Sequence, residues 1–581
     1  MEPCVSETEE AAIFSLRRAP LAGCKAWLWK YWTNALVVGL AILLWLPRLS
    51  GPIDLRWDAG VYYLLGSSLA TGHGYRILSE PGSPEAVQYP PFLPGIVALY
   101  SRAFGSTDPA VIGPWLRLSY AALFLVYGIG VLTLARKYLS PLFAFMATAL
   151  CLLNVWTIFL SDLLFAEIPF ALVSVTFVCV AGSAWKKGGE VTCFLLALTG
   201  FLLRTAGVVL LLAWIADALG RKRWRLALLR LALTLLPIAL WQGHIERVHR
   251  SAAYRHPAYE YQRALYQHYN VTYSDNFRLV DPFKPELGAA TTSALANRAL
   301  TNLALLPMHL GEAISIPRQF WPSHHLNGFS AIATVGFRML AGGLGLFVLA
   351  GVIWLLASRA WIVASIIIAS VALICMTPWP EEFNRYLTPV APFLAIAAVV
   401  GMRRLSVFLC DHTNPSIAKA AKLSVVSVLV MTLLVQIATA TRFLRGSTLA
   451  KSGAQSNSLA GGAHFFHEQD WVDWENAASW IGEHAGGSDV VATTAPHQFY
   501  LQTGLRAVYP PFEPDPGRAA RLIEDVPLKY VLIDQFAYRD FSRRYALPAV
   551  ENDPARWRLV YAVRRTKVYE HTTGEASDGS G

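Results

Sequence analysis

Asp58, Asp162, Glu167, Arg204 and Arg385 stand at the margins of long apolar runs in this 581-residue chain. A charge beside hydrocarbon is costly, so such residues pair with one another or serve a site. Carboxylates and guanidiniums that converge from separate segments suit a particular chemistry. A carboxylate can take the proton of an attacking hydroxyl, while a guanidinium holds a phosphate through paired N–H donors and stabilises it as a leaving group. Asp54, Asp58, Glu381 and Glu382 add acidic character to the same set of connections. Acid and cation gathered at one rim of a helical bundle describe a cavity for a lipid phosphate.

The elements that must position these residues are apolar runs at about 31–47, 113–135, 140–159, 163–183, 191–203, 205–219, 226–243, 331–357, 360–377, 386–401 and 423–441. Several approach the ~20 residues that cross a bilayer. The fold class expected is therefore an α-helical polytopic membrane protein, with about eleven transmembrane helices and a small C-terminal α/β soluble domain. The stretch 191–219 is too long for one crossing and carries Arg204 near its middle, which predicts two short helices with a turn at Arg204. Arg17 and Arg18, Arg136 and Lys137, Lys186 and Lys187, Arg221 to Arg225, Arg359, and Arg403 and Arg404 fall in alternate connections. Eleven crossings place all of these clusters on one side, the cytoplasm by the positive-inside rule.

Composition agrees. The chain is 54% hydrophobic and only 15% charged, against about 25% charged in soluble proteins. The formal charge of +10 sits in short loops and forms no basic strip interleaved with aromatics, which argues against nucleic acid. The seven cysteines avoid the segments placed outside, so no disulfide framework is implied. Residues 1–30 read as a retained cytoplasmic tail. Residues 31–443 form the membrane module, with outer loops at 50–112 and 244–330. In the first loop, Asp58–Thr71 and Phe92–Phe104 read as interfacial helices on either side of Gln88-Tyr-Pro-Pro-Phe-Leu-Pro94. Residues 444–462, rich in Gly and Ser, read as a linker, and 463–581 as an extracytoplasmic α/β domain. In that domain Trp471–His484 is an amphipathic helix, and 489–494, 530–534, 558–563 and 567–570 are strands.

Several motifs in the outer segments have a familiar order. They are Asp58-Ala-Gly-Val-Tyr62, Leu69-Ala-Thr-Gly-His-Gly-Tyr75, Tyr89-Pro-Pro-Phe-Leu-Pro94, Ser161-Asp-Leu-Leu-Phe-Ala-Glu167, Leu203-Arg-Thr-Ala-Gly207 and Arg385-Tyr-Leu-Thr-Pro-Val-Ala-Pro392. Together they resemble the GT-C superfamily of polyprenyl-phosphate-sugar glycosyltransferases, in the branch of protein O-mannosyltransferases and aminoarabinose transferases. The resemblance implies Asp58 as catalytic base, Asp162 and Glu167 as second acidic positions, and Arg204 and Arg385 on the lipid phosphate. It places Tyr62, Tyr89 and Tyr386 in substrate binding. The partners it implies are a polyprenyl-phosphate-linked sugar, membrane lipids, and an acceptor that is protein, lipid or glycan.

Each residue has a plainer reading. Asp58 and Asp162 could cap helices, Arg204 could pair with Asp162 or Glu167, and Arg385 could snorkel. The tyrosines at 254, 259, 261, 266, 269 and 273 suit either sugar stacking or interfacial anchoring. Relatives in the aminoarabinose branch carry Lys before the Pro-Pro pair. Gln88-Tyr89 replaces it here, so that role passes to arginines or is absent. No DxD pair occurs, and neither a metal nor another cofactor is expected. Two other functions compete, a secondary transporter or lipid flippase and a non-catalytic scaffold for envelope glycan assembly. The sequence carries no internal repeat of the kind transporters show.

Overall fold

Every apolar run becomes helix. The computed structural model describes residues 22–182, 188–320, 331–412, 415–453 and 468–572. Six helical spans are long and apolar enough to cross a membrane, namely Tyr31–Arg48, Pro109–Ala135, Trp224–His249, Thr334–Ala357, Pro380–Leu409 and Ala420–Arg445. Pro141–Leu152 and Val155–Asp162 make a seventh if the pair, bent by 56°, is one span. Glu167–Ala181, Gly189–Leu203, Thr205–Gly220 and Trp361–Cys375 are apolar but shorter. The chain is thus a membrane protein of mostly helical structure, and length alone supports fewer crossings than the eleven expected. The shortfall has a physical source, since several of these helices are interrupted where polar side chains enter the bundle.

Two breaks serve the site. Asn154 starts Val155–Asp162 by accepting hydrogen bonds from the Trp156 and Thr157 amides at 2.9 and 3.4 Å, as an N-cap does. Arg204 is extended between Gly189–Leu203 and the turn at Thr205–Gly207, which confirms the turn expected there. Elsewhere helices pack closely through small residues, as membrane interfaces do. A methyl group added to Gly351 would lie 1.9 Å from the carbonyl oxygen of Ala397.

The first long loop, expected on the outer side, folds back on the bundle. Asp54 makes a parallel bridge with Leu163: its amide donates to Asp162 O at 3.2 Å, and its carbonyl accepts from the Leu164 amide at 3.1 Å. That clip sets the helix Asp58–Ala70 beside the start of Glu167–Ala181. Phe92–Phe104 is the second helix of this loop, as expected.

The C-terminal segment forms a five-stranded sheet of β1 (Val490–Ala492), β2 (Arg506–Val508), β3 (Leu528–Ile533), β4 (Trp557–Val563) and β5 (Thr566–His571), in the order β2-β1-β3-β5-β4. β1 runs parallel to β2 and β3, whereas β5 is antiparallel to β3 and β4. The helix Gln469–His484 buries Trp471, Trp474, Ala477 and Ile481 against it. β2 and the helices Pro496–Thr503 and Pro516–Asp525 were not anticipated; all three are short, although the last is clearly amphipathic, burying Ala519, Leu522 and Ile523. Two boundaries also move. The last long helix continues to Gly453, past the expected start of the linker at 444, and the first helix begins at Ala22 within the expected tail. The remainder of the linker lies outside the described residues.

The sheet domain is packed against the membrane module. Tyr509, Phe512, Phe541 and Tyr545 belong to the same apolar core as the bundle. Tyr259 and Tyr261 of the central loop are buried with β1, β2 and β3.

Candidate active site

A cavity of about 360 Å³ lies between the bundle, the two outer loops and the sheet domain. Its inner wall is apolar and comes from membrane helices, with Phe170, Val208, Leu373, Ile374 and Val390. Its outer wall holds Asp58, Arg204, Arg385, Glu382 and Arg539 among tyrosines. One space therefore joins a hydrocarbon-compatible chamber to a charged one.

The charged residues form a chain. Arg385 is ion-paired with Asp58 through Nη2, and its Nε donates to Glu167 Oε1 at 2.8 Å. Arg204 Nη1 reaches the same Glu167 oxygen at 2.9 Å. Glu382 Oε2 lies 3.7 Å from Arg385 Nη1. The Tyr269 hydroxyl donates to Asp58 Oδ1 at 2.9 Å. Glu167 is 1% exposed, so a single buried carboxylate holds two guanidiniums in place.

Asp58 opens its helix but does not cap it, for no side-chain capping bond is present and both carboxylate oxygens are engaged in the site. The residue before it, Trp57, has φ of 56°, a backbone state that L side chains rarely adopt. Its ring is wedged among Phe159, Trp471 and Tyr538, with centroids 5.5 to 5.9 Å away. Burial by itself would raise the Asp58 carboxyl, but Arg385, with smaller help from Arg539 and Tyr269, holds it down to about 2. Asp58 is therefore an ionised carboxylate at neutral pH.

Asp162 is elsewhere. It does not line the cavity, and its carboxylate faces Arg117 at 3.5 Å. Nor does it cap a helix beginning at Leu163, because it ends Val155–Asp162 and the next helix starts at Glu167. Its backbone carbonyl clips Asp54, which makes it a positioning residue by geometry rather than a member of the charged chain. Asp54 is likewise committed, accepting from Arg56 Nε and Nη2 at 2.9 and 2.6 Å. Arg204 takes Glu167 and not Asp162 as its partner.

Tyr62, Tyr89 and Tyr386 all line the cavity. Tyr89 packs edge-on to Tyr62 at 4.8 Å and lies 5.8 Å from Tyr269. Of the central-loop tyrosines, Tyr269 and Tyr273 reach the cavity, whereas Tyr259 and Tyr261 pack against the sheet domain. Gln88, at the position where the resemblance led to the expectation of Lys, is structural as well as cavity-lining. It accepts from the Tyr269 amide at 2.6 Å and donates to Asn276 Oδ1 at 3.3 Å. That grip fixes Tyr269 at φ 76° and aims its hydroxyl at Asp58.

Sequence reasoning missed Arg539 and His268, both on the cavity wall. The available signal for Arg539 was its place in an aromatic run just after a predicted strand, Phe536-Ala-Tyr-Arg539-Asp-Phe541. Among the described residues no cluster of three or more His, Cys, Asp or Glu is arranged to hold a metal ion.

No family model and no curated protein matches the sequence. Among solved structures the chain is similar to the oligosaccharyltransferase of Archaeoglobus fulgidus in its apo form, at TM-score 0.49 and 14% identity over 87% of this chain and 70% of that one. The archaeal oligosaccharyltransferase AglB from Archaeoglobus fulgidus, in complex with an inhibitory peptide and a dolichol-phosphate, aligns at TM-score 0.49 and 13% identity, over 87% and 70%. ArnT from Cupriavidus metallidurans, bound to undecaprenyl phosphate, aligns at TM-score 0.49 and 13% identity, over 93% and 97%.

Proposed function

We propose that the chain is a membrane glycosyltransferase that moves a sugar from a polyprenyl-phosphate donor to an acceptor hydroxyl. The observation that carries this reading is the chain Asp58–Arg385–Glu167–Arg204, whose Asp58, Arg385 and Arg204 line a cavity with an apolar and a charged wall while Glu167 lies buried behind the two arginines. An apolar chamber suits the polyprenyl tail, and two guanidiniums suit its phosphate.

In the proposed reaction the donor phosphate binds Arg204 and Arg385. Asp58 takes the proton of the acceptor hydroxyl as its oxygen attacks the anomeric carbon. The bond from that carbon to the phosphate oxygen breaks, and polyprenyl phosphate leaves with the electron pair. Attack opposite the leaving group inverts the anomeric centre. Phosphate leaves without a general acid, because the arginines neutralise its growing charge. Tyr62, Tyr89 and Tyr386 shape the site, and the tyrosine wall limits water that would hydrolyse the donor.

The topology proposed with it counts the four short apolar helices and the bent pair as crossings, giving eleven. The N-terminus is then cytoplasmic, and the site and sheet domain lie on the outer side of the cell membrane. The test is Asp58→Asn in the full-length chain, assayed for transfer of labelled sugar from polyprenyl phosphate in native membranes. Loss of a general base costs about 10²- to 10⁴-fold, and that loss with normal protein level is expected. Transfer near the wild-type rate would remove Asp58 from the chemistry.

A further inference from the structure

The parallel half of the sheet turns its carboxyl edge toward the cavity. With β1 between β2 and β3, the chain leaves β1 toward one neighbour and later reaches the other. The loops after β1 and β3 therefore part at a switch point. Open parallel sheets take ligands in such crevices, because diverging loops leave space that their side chains surround. Here His497 and Gln498 follow β1, Tyr509 follows β2 and Arg539 follows β3. All four line a crevice against Trp57 and Tyr269, and Tyr269 and Arg539 also line the main cavity.

Arg539 differs from the two membrane-side guanidiniums. Arg204 and Arg385 are paired with carboxylates. Among the described residues no carboxylate lies within ion-pair distance of Arg539, which feels Asp58 only at longer range; the rings of Phe283, Phe541 and Tyr538 stand at 5.3, 5.5 and 5.8 Å, and Tyr509 is beside it. Rings attract a cation without neutralising it. On the crevice, His497 Nε2 and Gln498 Oε1 are buried with no hydrogen-bond partner, and so is His268 Nε2 on the wall of the main cavity that Arg539 also lines. Unpaired polar atoms that line a space are available to a polar ligand there. His497 Nδ1 is 2.7 Å from the Ser79 hydroxyl, which fixes the ring and aims Nε2 at the crevice. Burial holds both imidazoles down at about 3, so each is neutral and available as donor or acceptor.

We infer that the sheet domain supplies the acceptor half of the site, and that the acceptor bears a carboxylate or phosphate which Arg539 binds near the hydroxyl that receives the sugar. This rests on the glycosyl-transfer reading for the identity of the acceptor, but the anion preference stands on Arg539 at the wall of the 360 Å³ cavity, since the crevice of about 20 Å³ behind it holds little more than one water. Arg539 is a specificity residue here. The lipid phosphate has its own two arginines, and Tyr269, hydrogen-bonded to Asp58, marks the passage from one chamber to the other.

The full chain in nanodiscs can be titrated with glycerol 3-phosphate, glycerate and glycerol, read by isothermal titration calorimetry. Undecaprenyl phosphate is titrated separately. At least one anion is expected to bind more tightly than glycerol. Arg539→Gln weakens that anion about tenfold, the loss of one charged hydrogen bond. Arg539→Lys retains part of the affinity, and undecaprenyl phosphate binding stays within twofold of wild type, taken as roughly the scatter of such measurements. The anion that loses more in Arg539→Gln separates phosphate from carboxylate. Equal binding of glycerol and both anions, or anion binding undiminished in Arg539→Gln, overturns the inference. Failure of undecaprenyl phosphate to bind the wild-type chain counts against the donor reading instead and leaves the anion result legible.

Discussion

Arg385 is ion-paired with Asp58 across 327 positions of sequence. The group proposed to bind phosphate thus neutralises the group proposed to accept the proton. A donor phosphate competes for Arg385 and leaves Asp58 the more basic for it, so donor binding and base activation are linked through one guanidinium.

That link sets a pH dependence. A carboxyl held at about 2 stays ionised as pH falls until it passes that value, so its basic form is present above it and lost below. With Arg385→Gln the lowering charge is gone while burial, which raises the group, remains. The acid limb of kcat/KM, which reports the free enzyme, is expected to move up by about one pH unit or more in Arg385→Gln. The transfer rates of both proteins, measured from about pH 2 to 8 so that the limb near 2 and its displaced position both fall inside the window, check this. An unmoved limb means that a different group titrates.

Glu167 is the shared anchor of two arginines. Glu167→Gln keeps the shape and removes the charge, leaving two guanidiniums short of a counter-ion beside hydrocarbon. Breaking a buried ion pair from one side costs about 3–5 kcal/mol, and a lower melting midpoint in nanodiscs is expected, with transfer reduced in the folded fraction. An unchanged midpoint would show that Glu382 and Asp58 suffice to balance both arginines.

Gly351 lies far from the charged chain in its role. Gly351→Ala places a methyl 1.9 Å from Ala397 O, so the helices at 331–357 and 391–412 must separate. Loss of close packing between membrane helices lowers folded yield and melting midpoint. Transfer per folded molecule is expected to stay near wild type, which sets this variant apart from Glu167→Gln. A wild-type yield and midpoint would mean that the pair adjusts freely.

Some of this was legible in the residues alone. Apolar run length marked each of the six helices long and apolar enough to cross a membrane, and the charge of Arg204 inside one run marked the turn that now presents it. Both follow from local cost, since hydrocarbon penalises an unpaired backbone group or charge wherever it occurs. For the same reason the rim residues Asp58, Glu167, Arg204 and Arg385 could be picked out as a set.

Partnership was not legible. Asp162 and Glu167 look alike in sequence, five positions apart. The Asp54 bridge commits the backbone of one, whose side chain turns to Arg117, while the other's side chain falls between two arginines. Arg539 lies in an ordinary loop of a soluble domain, with no apolar run beside it to make its charge conspicuous. It acquires meaning only when the carboxyl edge of β1 and β3 docks on the cavity. Sequence fixes what each segment must do with its own surface. Which side chains meet depends on long-range packing, whose contacts are set by the whole fold and leave no periodic trace in the chain.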